Sequence, residues 1–339
     1  MKDVMKSHLI NYSMTFSPCQ NYLAISNNFN SIKILNLNDG TESLIKCSSS
    51  TTASIYNIGN CGSLLVGTSD CYIYAWKWSD IEINMCSQCE ELDSLFKAVL
   101  PINNEFVGCL QIISMYINEI DMIVHIGCSD GNIHLFRIID NGSIELITTY
   151  KSNNEIVLCL TKGKGYSLIS GHTDGTVRFW DGRQSKECLR IETDKSPEVR
   201  RPKLGSSINV IATDVESSDW ILCGGQAQLS LWNVRAQRVG VVMKTDNKPT
   251  DDCWIPLSAI LRDEVVIAGG NSDRVYLWDL SGQLNSEISL AATNHVFDVL
   301  HREKSDSDAD NCNDFFTCGW GAYVELYSDI GYRKKIFSL

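Results

Sequence analysis

No apolar run in this 339-residue chain approaches the roughly 20 residues of a membrane-spanning helix. The opening Met1-Lys2-Asp3-Val4-Met5-Lys6 lacks the apolar stretch of a secretory signal, so none is expected. Basic residues are in deficit: 29 Lys and Arg stand against 41 Asp and Glu, for a formal net charge of −12. Gripping a phosphate backbone takes a surface of lysine and arginine that displaces counterions. Strong direct nucleic-acid binding is therefore disfavoured. Sustained helical periodicity is also missing, and only Glu90–Val99 has mild helical character.

The signatures of catalysis and metal binding are equally thin. No GxSxG, P-loop or GxGxxG occurs, and the six histidines do not group with a serine or cysteine at nucleophile spacing. No enzyme activity and no cofactor are expected. Cys86 and Cys89 form one CxxC, but a structural zinc site takes four ligands, and no second CxxC or HxxxH follows. Asp306, Asp308 and Asp310 imitate the start of a calcium loop, yet Asn311 stands where glycine is needed and Thr317 where glutamate is. No metal site is expected, and 304–314 reads as an acidic, solvated loop in which Ser305 and Ser307 suit phosphorylation. The fourteen cysteines are scattered singly through strand-like runs, where a free cysteine acts as a small apolar residue, which suggests a reducing compartment.

What the chain does have is a repeated hairpin. Its best copy, Tyr166–Arg183, places apolar runs either side of a turn at Asp174-Gly175 and ends its second strand on Trp180-Asp181. Asp-Gly favours tight turns because glycine reaches positive φ freely. Aligning on Trp180 finds seven copies, near 22–37, 63–78, 122–138, 166–181, 219–234, 264–280 and 314–328. Their anchors, Leu35, Trp76, Phe136, Trp180, Trp232, Trp278 and Tyr327, stand 41, 60, 44, 52, 46 and 49 residues apart. WD40 propeller blades repeat every ~40–45 residues and end a strand on Trp-Asp. Alternating runs before and weaker runs after each hairpin supply two more strands. The expected fold is all-β: a single seven-bladed WD40 β-propeller over 1–339, with four-stranded antiparallel blades. The tail Arg333–Leu339 is favoured over Met1–Leu9 as the outer strand of the seventh blade.

Ser170, Asp174, Trp180, Asp181, Trp232, Trp278 and Asp279 read as blade-structural residues. In many WD40 blades a buried His, a Ser or Thr, an Asp and a Trp form one hydrogen-bonded set. Here Lys151-Ser152 replaces the usual Gly-His, so the set in the fourth blade is expected to be partial, with His172 as turn decoration. Candidate partner-binding residues are Arg183, Arg235, Arg200, Arg201 and Lys203, the last three in a Pro-bounded basic stretch that reads as a loop able to dock an acidic partner.

Beyond the repeat, the order of motifs resembles the THO complex subunit six family. The resemblance rests on Ser17-Pro18-Cys19, Ala75-Trp76, Ser170-Gly171, Asp174-Gly175, Trp180-Asp181, Arg183 and Arg201-Pro202. It continues through Ala212-Thr213-Asp214, Asp219-Trp220, Cys223-Gly224-Gly225, Leu231-Trp232, Leu280-Ser281-Gly282 and Gly331-Tyr332-Arg333. It implies a non-catalytic scaffold that contacts other THO subunits in the nucleus, supports messenger-ribonucleoprotein assembly and mRNA export within TREX, and touches little RNA itself. A presence in the cytoplasm as well is compatible with it. Competing readings are a substrate receptor of a cullin-RING ubiquitin ligase and a generic WD40 scaffold of another complex; the first rests on specific residues. Trp180-Asp181-Gly182-Arg183 resembles the WDxR box that docks on the ligase adaptor, and Trp232-Asn233-Val234-Arg235 is a degenerate copy.

Overall fold

Runs of β-branched and aromatic residues broken every five or six positions by Asp, Asn and Gly can pair only locally, and they form short antiparallel strands. The computed structural model describes residues 8–47, 55–87, 92–100, 110–139, 143–152, 155–163, 166–183, 186–214, 219–245, 253–262, 264–291, 293–302, 314–328 and 331–339. Among the described residues, twenty-eight strands pair in seven four-stranded antiparallel sheets. The fold is a seven-bladed β-propeller of the WD40 type. The blades span 11–46, 55–99, 112–151, 157–192, 208–242, 256–289 and 296–338, each with its strands paired in chain order.

The second and third strands of each blade fall within one residue of the hairpins expected from sequence. Second strands are buried on both faces: Leu23-Ala24-Ile25 and Leu64-Leu65-Val66 are wholly covered. Fourth strands alternate, as Glu42–Lys46 and Leu284–Ser289 do, with one face wet. In blades three to seven the pairing of third with fourth strand shifts register beside the anchor, at Phe136, Trp180, Trp232, Trp278 and Tyr327. A bulge there lets the large side chain turn into the core while the strand continues.

The chain divides into two compact units, residues 1–157 with Leu339, and 158–338. In the first unit, one core gathers Ile34, Leu64, Tyr74, Trp76 and Ile81, and another gathers Leu65, Ile73, Ile112, Ile126 and Phe136. In the second, Val177, Phe179, Ile208 and Trp232 pack in one cluster, Leu222, Leu231, Tyr276 and Trp278 in the next, and Val275, Val296, Phe315 and Tyr327 in a third. Six described cysteines, Cys47, Cys61, Cys71, Cys128, Cys223 and Cys318, are buried as small apolar residues are. Ten described cysteines are free, and burial pushes the Cys159 thiol up to about 12.

The fourth strand of blade seven is Arg333–Ser338, paired with Tyr323–Tyr327, while most of the competing segment, 1–7, lies outside the described residues. The α-helix found among the described residues, by contrast, is not where mild helical character was read. Phe96–Val99 is the fourth strand of blade two, paired with Tyr72–Ala75. The helix is α1, Trp78–Ser87. Trp78 and Ile81, three apart, form a buried stripe, Trp78 Nε1 donates to Asn60 Oδ1 at 2.9 Å, and Asp80 lies in the first turn, where the helix dipole favours an acid. The segment reads as the start of the linker after the second hairpin, and the tertiary packing reveals the helical spacing. No helix among the described residues is long and apolar enough to cross a membrane. The CxxC side chains and the 303–313 stretch, with Ser305 and Ser307, lie outside the described residues.

Candidate interaction site on blades four and five

Blade four is built around polar groups that burial forces into partnership. Trp180 Nε1 donates to Ser170 Oγ at 2.8 Å, and that hydroxyl lies 2.7 Å from His172 Nε2. The Ser170 hydroxyl thus links the indole to the imidazole inside the blade. Ser170, His172 and Trp180 are wholly or almost wholly buried. This corrects the reading of His172 as decoration. The blade draws its histidine from its own hairpin, which no scan for Gly-His before the first strand would find. The same burial removes a serine–histidine pair from any substrate, so the arrangement ties strands rather than activating a nucleophile.

At the turn, Asp174 Oδ1 accepts from the Thr176 amide at 3.0 Å and from the Thr176 hydroxyl at 2.6 Å. Its Oδ2 accepts from Arg178 Nη2 at 2.8 Å, and Arg178 Nε donates to Thr176 Oγ1 at 3.0 Å. Arg178 is almost fully buried, and a buried guanidinium persists only when paired and hydrogen-bonded. Burial alone would raise the Asp174 carboxyl, but the Thr176 and Arg178 donors outweigh it and hold it below the usual carboxylate range. Thr176 and Arg178 thus join Asp174 in the structural set; sequence reading missed both. Gly175 takes φ +81°, and Thr193 donates to its carbonyl at 2.9 Å, pinning the end of the fourth strand to the turn.

Trp232 Nε1 donates to Ser230 Oγ at 2.9 Å and Trp278 Nε1 to the Lys244 carbonyl at 2.8 Å. Asp279 accepts from the Ser281 and Gln283 amides at 2.9 and 3.0 Å, closing a turn. Asp181 does the same for the Arg183 amide at 3.0 Å.

The five candidate partner residues divide between opposite ends of the blades. Arg183 and Arg235 each follow a third strand, Thr176–Asp181 in blade four and Ser230–Asn233 in blade five. Arg183 forks onto Asp181, with Nε at 3.1 Å and Nη2 at 3.0 Å, while its side chain stays 90% exposed. The Asp181 carboxyl is lowered chiefly by that side-chain bond. Arg235 Nε sits 2.7 Å from Asp219 and is 77% exposed. Arg200, Arg201 and Lys203 instead lie at the hairpin-turn end, reached by the fourth strand as it returns to pair Glu192 with Thr176. A third strand of six residues separates the two ends by about 20 Å.

Arg201 differs from its neighbours, and the expectation that it docks a partner is corrected. Its guanidinium donates to four backbone carbonyls: Gln226 at 2.8 Å, Trp254 at 2.6 Å, Gly225 at 2.6 Å and Ala227 at 3.1 Å. The donors are spent on clamping the turn of blade five to the chain entering blade six. Arg200 and Lys203 are exposed.

Comparison with known proteins bears on what this arrangement belongs to. No family model matches the chain. A THO complex subunit 6 homolog of Danio rerio is 31% identical over 238 residues, covering 68% of this chain and 70% of the relative. The chain belongs to the THO complex subunit six family. THO complex subunit 6 of Homo sapiens is 24% identical over 350 residues, covering 99% of this chain and 94% of the relative. That of Drosophila melanogaster is 25% identical over 221 residues, 65% of this chain and 58% of the relative.

Several motifs that carried the resemblance to the subunit six family meet in space. Arg201, in the Arg-Pro pair, bonds the carbonyl of Gly225, which closes the Cys-Gly-Gly run 24 residues later. Trp220 covers Gly240 so closely that a Cβ there would stand 2.4 Å from the indole. Those landmarks of blade five are therefore internal ties, whereas Arg183 and Arg235 are exposed.

Proposed function

We propose that this member of the THO complex subunit six family is a non-catalytic scaffold of a THO-type assembly, acting in the nucleus in messenger-ribonucleoprotein assembly and mRNA export. One observation carries the reading: the likeness to human THO complex subunit 6 runs over 99% of this chain, so it reaches all seven blades rather than one generic repeat. Blades presenting exposed loops suit protein partners, and a net charge of −12 suits a subunit that leaves nucleic acid to others. The contacts assigned to it are with protein subunits. Affinity purification of the full chain from its own nuclei, followed by mass spectrometry, tests the proposal. Other THO subunits should co-purify in near-stoichiometric amount, and their absence would sink it.

The ligase-receptor reading keeps one favouring observation: Arg183 is 90% exposed beside a buried Trp180. The same purification separates the two. A cullin adaptor lost on Arg183→Ala, without THO subunits, would reverse the order of preference.

A further inference from the structure

Blades three and four carry the same turn 44 residues apart, and they finish it differently. His172, Asp174 and Arg178 of blade four correspond to Cys128, Asp130 and His134 of blade three. In blade four a cation completes the set, since the Arg178 guanidinium reaches Asp174 at 2.8 Å. His134 is too short to supply that cation in the same way, and the three side chains of blade three are left as a convergent donor set.

Their ligand atoms, a thiol sulfur, a carboxylate oxygen and an imidazole nitrogen, all lie within 4.8 Å of one another, and all three residues are buried. His134 Nδ1 is 2.9 Å from Thr149 Oγ1, while Nε2 is buried with no hydrogen-bond partner among the described groups. Asp130 is held by the Asn132 amide at 2.9 Å and the Asn132 side chain at 2.6 Å. The Cys128 thiol makes one long hydrogen bond, to the Ile126 carbonyl at 3.9 Å. A buried imidazole nitrogen left without a partner costs free energy unless something fills the position.

We propose that Cys128, Asp130 and His134 bind a zinc ion, which does in blade three what the Arg178 guanidinium does in blade four. Sulfur, nitrogen and oxygen donors together suit zinc among the common divalent ions, whereas magnesium and calcium take oxygen alone. Tetrahedral ligands stand roughly 3.3–3.8 Å apart, so the set closes by no more than about 1.5 Å on binding. The second shell is in place: Nδ1–H donating to Thr149 leaves Nε2 as the lone-pair nitrogen, and Asn132 orients the carboxylate. Cys128 binds as thiolate and its proton is released to solvent. The fourth position is open to water or a backbone oxygen.

The test uses the full chain with zinc and cobalt(II) as probes. Protein stripped of metal and dialysed against zinc should retain about one ion per chain by elemental mass spectrometry. Cobalt(II) should give the charge-transfer band of a thiolate ligand together with tetrahedral absorption. Cys128→Ser and His134→Gln should each weaken zinc binding at least tenfold, and Cys128→Ser should remove the cobalt–thiolate band. The double variant Cys86→Ser, Cys89→Ser should keep both signals. The cobalt spectrum is read on the unaltered chain, so the result stands even if a variant folds poorly. Absence of a thiolate band, or metal lost with Cys86 and Cys89 but retained in Cys128→Ser and His134→Gln, overturns the proposal.

Discussion

Arg201 and Arg200 are adjacent in sequence and opposite in role. Four backbone carbonyls receive the Arg201 guanidinium, and charged hydrogen bonds contribute more than neutral ones. Arg201→Ala strips those carbonyls of their donor and should cost about 2–3 kcal/mol by urea denaturation, while Arg200→Ala, at an exposed position, should stay within about 0.5 kcal/mol. Equal effects would mean the clamp contributes nothing. Asp174 makes a pH-dependent prediction. Its folded pKa lies below the ordinary carboxylate value of about 3.9. The stability it contributes is therefore fully present above that value and lost as pH falls through the lower, folded one. Asp174→Asn should be clearly less stable than the unaltered chain at pH 7, and the gap should narrow below about pH 4. A gap independent of pH would assign the stabilisation to packing instead.

At the scale of elements, hairpins were legible because their signal is local. A Gly or Asp turn between apolar runs needs nothing distant, and the tryptophan anchors mark the phase. What the sequence hid were features decided by tertiary packing. The helix Trp78–Ser87 follows the third strand of blade two directly, and its period shows only once Trp78 and Ile81 are seen sharing one buried face. His172 reads as a turn residue until Ser170 and Trp180 close around it. Arg201 reads as a docking charge until the turn of blade five folds over it. The helix gives a paired test. Ile81, almost fully buried, should cost about 2–4 kcal/mol on replacement by Ala. Ile83, 67% exposed on the same helix, should be close to neutral. Similar losses at both positions would show that the helix does not dock through the Trp78–Ile81 stripe.

For the whole molecule the question is how a chain with net charge −12 attracts a partner. Long-range attraction of an acidic surface has to come from local basic groups. Of the four exposed candidates, Arg183 and Arg235 are already neutralised, by Asp181 at 3.0 Å and Asp219 at 2.7 Å. Each could trade its aspartate for a partner's carboxylate at little cost, because exposed ion pairs are worth only about 0–1 kcal/mol. Such a trade gives specificity but little steering. Arg200 and Lys203 have no ion pair among the described residues, so the hairpin-turn end of blades four and five carries the uncompensated charge. The double charge reversal Arg200→Glu, Lys203→Glu should therefore reduce capture of THO subunits at least severalfold, more strongly at low salt than at high. Arg183→Glu with Arg235→Glu should leave capture nearly intact. Thermal melting of both variants guards against misfolding, since none of the four side chains is buried. The opposite pattern, with capture lost only at Arg183 and Arg235, would move the docking surface to the far end of the blades and with it the balance toward a WDxR-type adaptor contact.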